Sequence, residues 1–330
     1  VRFVVYGLGA IGGVVAGHLA RAGADVAGIA RGAHLAKIRA DGLRLVTPAG
    51  EDTVRFAVAD DPAGLDPPVG ADDVVLLAVK SQDTAGTLAA LTAAAPAPAA
   101  RPAVACFQNG VANEAVAAET FGRVYGAVVM CPSSHLEPGV VVAHAGPVPG
   151  LFDVGRYPEG IDDVAEALVA GLNQAGFDAR VVPDVMCWKY RKLLLNVGNA
   201  VEALTGADAR DDRLAALARR EAEACLRAAG IAYASEAEDQ ARRVRLVIPE
   251  TGPEHRGSST WQSLARGTGS AEADWLNGEI VRIGRRAGVP TPVNAVLVEL
   301  VDDLAARGGA PGSVPEEEIV ARLRREGVEA

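Results

Sequence analysis

Short runs of apolar and β-branched residues recur through the first half of the chain, at Arg2–Tyr6, Asp25–Ala30, Asp73–Val79, Ala103–Phe107 and Val124–Met130. They are nearly continuous in apolar residues instead of alternating with polar ones, and helical patterns separate several of them. Strands buried on both faces and joined by helices predict a largely parallel sheet covered on both sides. Val140–His144 and Leu151–Gly155 flank the Gly146-Pro147 turn and read as an antiparallel addition. A helix over Asp162–Ala175 and a strand over Ala179–Val182 follow. The stretch "PAPAARP" (96–102) reads as a loop inside this domain, because another strand begins at once.

From Pro183 onward the strand signal stops. Helical periodicity takes over in blocks at Val185–Leu204, Asp211–Ala229, Glu236–Val247, Ala271–Ala287, Val293–Ala306 and Pro315–Arg325. Ser313-x-x-Glu316, with Pro315 just inside, reads as a capping-box start for the last block. The expected class is therefore α/β, with an N-terminal Rossmann-type doubly wound sheet over 1–182 and an all-α C-terminal domain over 183–330. A length of 330 residues fits that division, since domains average ~150 residues.

Composition narrows the chemistry. The net charge is −10, there is no long basic block and aromatics are few, which argues against nucleic acid or an anionic membrane as partner. Cys106, Cys131, Cys187 and Cys225 show no C-x-x-C pair and read as reduced thiols of a cytoplasmic protein. His18, His34, His135, His144 and His255 lack metal-ligand spacing, so no metal site is expected. The chain opens on a strand and not on a secretory signal, and no apolar stretch is long enough to span a bilayer.

The first strand runs into Gly7-Leu8-Gly9-Ala10-Ile11-Gly12, a G-x-G-x-x-G spacing. In a dinucleotide site the first glycine permits the turn, the second lets the backbone approach a pyrophosphate, and the third lets the helix pack on the sheet. The helix N-terminus then offers N–H groups and a positive dipole end. The alternative is a structural turn; the strand before and the helix after favour the nucleotide. At the end of the second strand, where an acid would accept from a ribose 2′-hydroxyl, stands Arg31. A guanidinium pairs with a 2′-phosphate, so NADPH is favoured over NADH unless Arg31 is a solvated surface residue.

Three polar groups interrupt apolar patterns. Lys192, Asn196 and Asn199 lie at i, i+4 and i+7 in one apolar helical block, within about 60° of one another at ~100° per residue. The stripe reads as a cleft wall or a solvated edge, with Lys189 as a competitor to Lys192. Lys80 and Asn109 stand at carboxyl ends of parallel strands, where doubly wound sheets bind ligands, although Asn109-Gly110 also fits an ordinary turn. Ser258 or Ser259, and Glu272, are equally readable as helix-start residues or as site residues.

The residues quoted so far, with "VK" at a strand end, "QNG", "KLLLN", "GSS" and "AEADWLNGEIVRIGRRAGVPTPVN", resemble the ketopantoate reductase (2-dehydropantoate 2-reductase) family over nearly the whole chain. The resemblance implies reduction of the 2-keto group of ketopantoate by NADPH in pantothenate synthesis, a Rossmann domain followed by a helical one, a cleft between them, and a homodimer. It assigns Lys192 as general acid, Glu272 as a catalytic partner at the reacting end, and Asn109, Asn196, Asn199 and Ser259 to the substrate. Gly7, Leu8, Gly9, Ala10, Ile11, Gly12, Arg31, Lys80 and Asn109 would hold the cofactor. Departures fall on the substrate side. The family's second helix asparagine stands four residues after the first, whereas here that position is Ala200 and the asparagine is Asn199. A further asparagine has no match in "TGADARDDR", and one residue is inserted between Ser259 and Glu272. The competing expectations are a reductase of another 2-keto acid or carbonyl compound, and a non-catalytic NADP(H)-binding sensor.

Overall fold

The computed structural model describes residues 1–206, 213–249, 257–265, 267 and 272–329. Its strands are β1 (Arg2–Tyr6), β2 (Val26–Ile29), β3 (Leu43–Thr47), β4 (Gly50–Val54), β5 (Ala57–Ala59), β6 (Asp73–Leu77), β7 (Ala103–Cys106), β8 (Val124–Met130), β9 (Ser133–Ser134), β10 (Val140–Ala143), β11 (Leu151–Arg156) and β12 (Asp178–Val181). Interleaved with them are α1 (Ala10–Arg21), α2 (Gly32–Asp41), α3 (Thr84–Ala94), α4 (Asn113–Ala118) and α5 (Asp163–Gln174). Then follow α6 (Val185–Asn196), α7 (Asn199–Thr205), α8 (Arg213–Ala228), α9 (Glu236–Arg243), α10 (Ser259–Ala265), α11 (Ala273–Ala287), α12 (Pro292–Ala306) and α13 (Glu316–Arg325). The fold is the expected one: a parallel-rich sheet with helices, then helices alone among the described residues.

The chain divides into two units: 1–109, 113–189 and 235–255 in the first, and 110–112, 190–234 and 256–330 in the second. The division runs inside α6, after Lys189. In the first unit an eight-stranded sheet has the order β12-β11-β8-β7-β6-β1-β2-β5. From β5 to β8 neighbouring strands pair in parallel, which reproduces the 3-2-1-4-5-6 order of dinucleotide-binding sheets. Alternate residues of β1 feed opposite faces. Phe3 and Val5 pack with α1 and α5 through Val14, Leu19, Leu168 and Leu172, while Val4 and Tyr6 pack with Leu88, Leu91 and Ala117 of α3 and α4. Burying each such aliphatic side chain is worth about 1.5–3 kcal/mol.

A second sheet, β4-β3-β10-β9, was not anticipated. Its strand β4, "GEDTV", is mostly exposed and shows no apolar alternation. The expected pairing of Val140–His144 with Leu151–Gly155 is corrected accordingly. Strand β10 pairs parallel with β3, whereas β11 runs antiparallel to β8 in the large sheet. The small sheet lies against α1, where glycines leave room: a Cβ on Gly13 would stand 2.5 Å from Val141 Cγ1, and one on Gly17 3.2 Å from Leu45 Cδ2.

Two helical expectations are also corrected. The single block Val185–Leu204 is two helices, α6 and α7, interrupted at Val197-Gly198. There the ladder tightens to i→i−3 bonds, Gly198 N–H to Leu195 O at 3.4 Å and Val201 N–H to Gly198 O at 3.1 Å. The Val197 carbonyl instead accepts from Asn277 Nδ2 of α11 at 2.9 Å. The capping box at Ser313 does not form: Ser313 Oγ donates to Ala310 O, and Pro315 itself is the N-cap. Proline disfavours helical backbone at the preceding Val314, so the helix starts later. The capping box occurs instead at Ser235 and Glu238, opening α9.

In the second unit α11 packs on α8 and α12, and α7 packs on α10. A buried polar chain joins them. The Glu221 carboxylate accepts from the Val293 and Asn294 N–H groups at 2.8 and 3.0 Å, satisfying the start of α12. Asn294 Nδ2 donates to Glu221 and to Ala218 O, and Asn294 Oδ1 accepts from Asn277 Nδ2 at 3.0 Å. Asn277 then closes the break after α6. Such groups cost about 1–3 kcal/mol each when buried unpaired; here the Glu221 carboxylate, the Asn294 amide and Asn277 Nδ2 find partners in one another.

Candidate active site

The glycine turn is built by contact. Gly7 sits at φ +101°, a region that favours glycine, and a Cβ there would meet Val79 N and Cγ1 at 2.9 Å. A Cβ built on Gly12 would collide with the Gly7 carbonyl oxygen and stand 2.8 Å from Ala78 Cβ, so a side chain there would force α1 away from the strand end. Gly9 differs, since nothing lies within 4 Å of a Cβ built on it. It is the N-cap of α1 and makes no side-chain cap. The N–H groups of Ala10, Ile11 and Gly12 have no acceptor within the helix, as for any first turn. Open space in front of a dipole end that presents three N–H donors fits a pyrophosphate. Leu8 is different again: its side chain is core, 1% exposed.

Arg31, two residues beyond β2, is the exposed N-cap of α2. Burial raises the Tyr6 phenol and the adjacent guanidinium opposes that shift. The guanidinium thus stands at the strand end that receives the adenine ribose in dinucleotide folds.

At the ends of β6 and β7 a buried polar network holds the two loops carrying Lys80 and Asn109. Gln108 Nε2 donates to Thr84 Oγ1 and Thr84 Oγ1 to Asn113 Oδ1, both at 2.8 Å. Asn113 Nδ2 reaches Ser81 Oγ at 3.2 Å and Asn109 O at 3.1 Å. Lys189 of α6 donates to Gln108 O at 3.2 Å and pairs with the Glu114 carboxylate, both side chains being buried. Burial, with Glu114 beside it, pushes the Cys106 thiol well above its ordinary range, so it stays protonated. Sequence reading missed Thr84, Asn113 and Glu114; their signal was the run of polar residues just after two buried strands. Lys189, the competitor to Lys192, is occupied in this network.

The remaining candidates belong to the second unit. Lys192 and Asn196 lie one turn apart on α6, both partly exposed, but Asn199 opens α7 beyond the break. The i+7 arithmetic assumed one unbroken helix, and Asn199 stands on the second of two. The serine alternatives separate. Ser258 is bound locally, its N–H donating to Glu202 Oε1 at 3.1 Å and its Oγ accepting from Trp261 N–H at 3.4 Å. Ser259 Oγ is buried with no hydrogen-bond partner among the described residues. Glu272, 5% exposed, is the N-cap of α11 without a side-chain cap, and Asp274 is the first-turn acid. Gly110, following Asn109, adopts φ +81° and lies against the Trp275 carbonyl of the same helix, 3.1 Å from a built Cβ. His255 is outside the described residues. No His, Cys, Asp and Glu cluster able to hold a metal occurs among the described residues, and no described helix is long and apolar enough to cross a membrane.

These features define a two-part protein whose first part has the sheet order and glycine turn of nucleotide-binding α/β domains. The model for "Ketopantoate reductase PanE/ApbA" matches residues 3–159 and that for its C-terminal part matches 184–305. The chain belongs to the ketopantoate reductase family, whose members are nicotinamide-dependent reductases. It is 34% identical to a 2-dehydropantoate 2-reductase of Halobacterium salinarum over 93% of this chain and 100% of that one. A Caulobacter vibrioides relative of the same name is 32% identical, over 91% and 98%. The crystal structure of a family member from Ralstonia eutropha superposes with a TM-score of 0.76 at 32% identity, over 93% and 99%. A likeness of fold extends to D-mandelate dehydrogenase with NADH and anilino(oxo)acetate, at TM-score 0.79 and 19% identity.

Removing the Glu114 carboxylate alone would strand the Lys189 ammonium in the core. Glu114→Ala is expected to lose about 3–5 kcal/mol in urea unfolding, whereas Glu114→Leu with Lys189→Met should lose much less. A loss below about 1 kcal/mol in the single variant would contradict a structural role for the pair.

Proposed function

We propose that this chain is a 2-dehydropantoate 2-reductase that reduces the 2-keto group of ketopantoate with NADPH. The observation that carries the proposal is the open space at Gly9 on a dinucleotide-type turn, in a chain that also matches the family's C-terminal model. Arg31 holds the 2′-phosphate, and the first-turn N–H groups of α1 hold the pyrophosphate. Lys80 serves the cofactor ribose. When bound, the nicotinamide supplies a hydride to C2 of the keto acid.

Lys192 gives a proton to the oxygen that becomes the alkoxide, and recovers one from solvent afterwards. Asn109 and Asn196 orient the substrate, Ser259 Oγ donates to its carboxylate, and Glu272 hydrogen-bonds its reacting end. The Ser259 Oγ, which has no hydrogen-bond partner among the described residues, supports that assignment. The protein acts as a cytoplasmic homodimer.

A second reading, reduction of a different 2-keto acid, is favoured by one observation. Asn199 stands on α7, beyond the interruption that follows Lys192 and Asn196 on α6, and the position four residues beyond Asn196 is Ala200. Initial rates of NADPH consumption with ketopantoate beside several branched 2-keto acids decide between the two. Ketopantoate is expected to give the highest kcat/KM; a preference for another acid would overturn the named substrate, and no turnover with any would overturn the reductase.

Two variants test the assignments. Lys192→Ala should lower kcat by ~10²–10⁴ while leaving NADPH affinity nearly unchanged, and retention of more than about a tenth of kcat would remove Lys192 from the acid role. Arg31→Ala should raise the KM for NADPH by about tenfold or more and spare NADH. Equal effects on the two nucleotides would refute a 2′-phosphate contact.

A further inference from the structure

His34 is a half-buried titratable group that the proposed chemistry does not use, and its ring joins three separate segments of the first unit. It lies in the first turn of α2, three residues after Arg31. Nε2 stands 2.7 Å from the carbonyl oxygen of Leu8, inside the glycine turn. Nδ1 accepts the Gly139 N–H at 2.8 Å, from the segment leading into β10. The His135 ring packs against it, 4.1 Å between centroids, with its own Nδ1 2.9 Å from Val140 O.

The tautomer follows from these partners. A peptide N–H can only donate and a carbonyl can only accept. Nδ1 of His34 is therefore bare, and Nε2 carries the proton that goes to Leu8 O. Burial and the neighbouring His135 hold the His34 pKa below its ordinary value, which keeps the ring in this one-proton form. Gly139 is built for the contact: it sits at φ +81°, and a Cβ there would lie 2.5 Å from Lys37 Cγ, one turn further along α2.

The consequence is geometric. Leu8 lies between Gly7 and Gly9, where the pyrophosphate is seated, and Arg31 precedes the helix that carries His34. Two-point recognition of one rigid dinucleotide needs a fixed separation between its anchors, since a misplacement of about 1 Å can cost 10²-fold. We propose that His34 is a positioning residue for the cofactor, bridging the glycine turn to α2 so that the pyrophosphate seat and the Arg31 guanidinium keep the spacing of a 2′-phosphorylated dinucleotide. This rests on the NADPH reading above.

Glutamine can replace both functions of the ring, donating from Nε2 and accepting at Oε1; leucine can replace neither. Binding is measured by titration of the full-length protein with NADPH and, separately, with adenosine 2′-monophosphate, which carries the 2′-phosphate but no 5′-phosphate and so reaches only the Arg31 side. H34L is expected to weaken NADPH by about tenfold or more, the cost of a lost hydrogen bond, with adenosine 2′-monophosphate changed less than about threefold. H34Q should stay within about threefold of the unaltered protein for both. If H34L does not fold, H34N gives the same contrast, because its shorter amide cannot span Leu8 and Gly139. Unchanged NADPH affinity in H34L, parallel loss of both ligands, or an H34Q protein as weak as H34L would each overturn the positioning role. Failure of the unaltered protein to bind NADPH would overturn the cofactor reading instead.

Discussion

Gly12 admits no side chain, and the geometry of the first unit depends on that. A Cβ there would collide with the Gly7 carbonyl oxygen and crowd Ala78 just beyond β6, whereas nothing lies within 4 Å of a Cβ built on Gly9 at the N-terminus of the same helix. The neighbours of the turn serve the same end: Leu8 is buried, and Gly28 of β2 leaves room for it, since a Cβ there would stand 2.7 Å from Leu8 Cδ1. A phosphate seat made of backbone has no side chain to reposition, so its precision must come from packing around it.

Two buried polar networks extend that logic away from the turn. In the first unit Thr84, Gln108, Asn113 and the Lys189–Glu114 pair fix the loops at the ends of β6 and β7, from which Lys80 and Asn109 project. In the second, Glu221, Asn294 and Asn277 tie α8, α12 and α11 to the Val197 carbonyl at the end of α6. Each network is costly if one member is lost, because its partners stay buried without a hydrogen bond. Both therefore hold a single arrangement of the segments carrying the candidate residues. Asn277 and Asn294, in the stretches "WLNG" and "GVPTPVN", prove to be structural members of that scaffold.

The large sheet was legible in sequence because its strands are buried on both faces and read as continuous apolar runs. Strand β4 was not, since its residues are mostly exposed and it is held by pairing with β3. The break between α6 and α7 was equally hidden. Nothing local in "KLLLNVGNAVEAL" marks it except one glycine, and what satisfies the freed carbonyl is an asparagine 80 residues away. The pattern S-x-x-E occurs at both Ser235 and Ser313, yet only the first forms a capping box, because a proline stands inside the second. Local rules read the chain well where packing is uniform and fail where a distant partner decides.

Of the three glycines in the turn, Gly7 and Gly12 are required by the fold, whereas Gly9 is required only by whatever approaches it. Gly9 has an extended, non-positive φ of −69°, which any residue adopts, and free space where a side chain would go. The most direct measurement is therefore the Tm of Gly9→Val together with its Kd for NADPH. A Tm within a few degrees of the unaltered protein with NADPH affinity lowered by about 10²-fold is expected. Unchanged NADPH affinity in that variant would contradict a pyrophosphate seat at this turn, and with it the reductase built upon it.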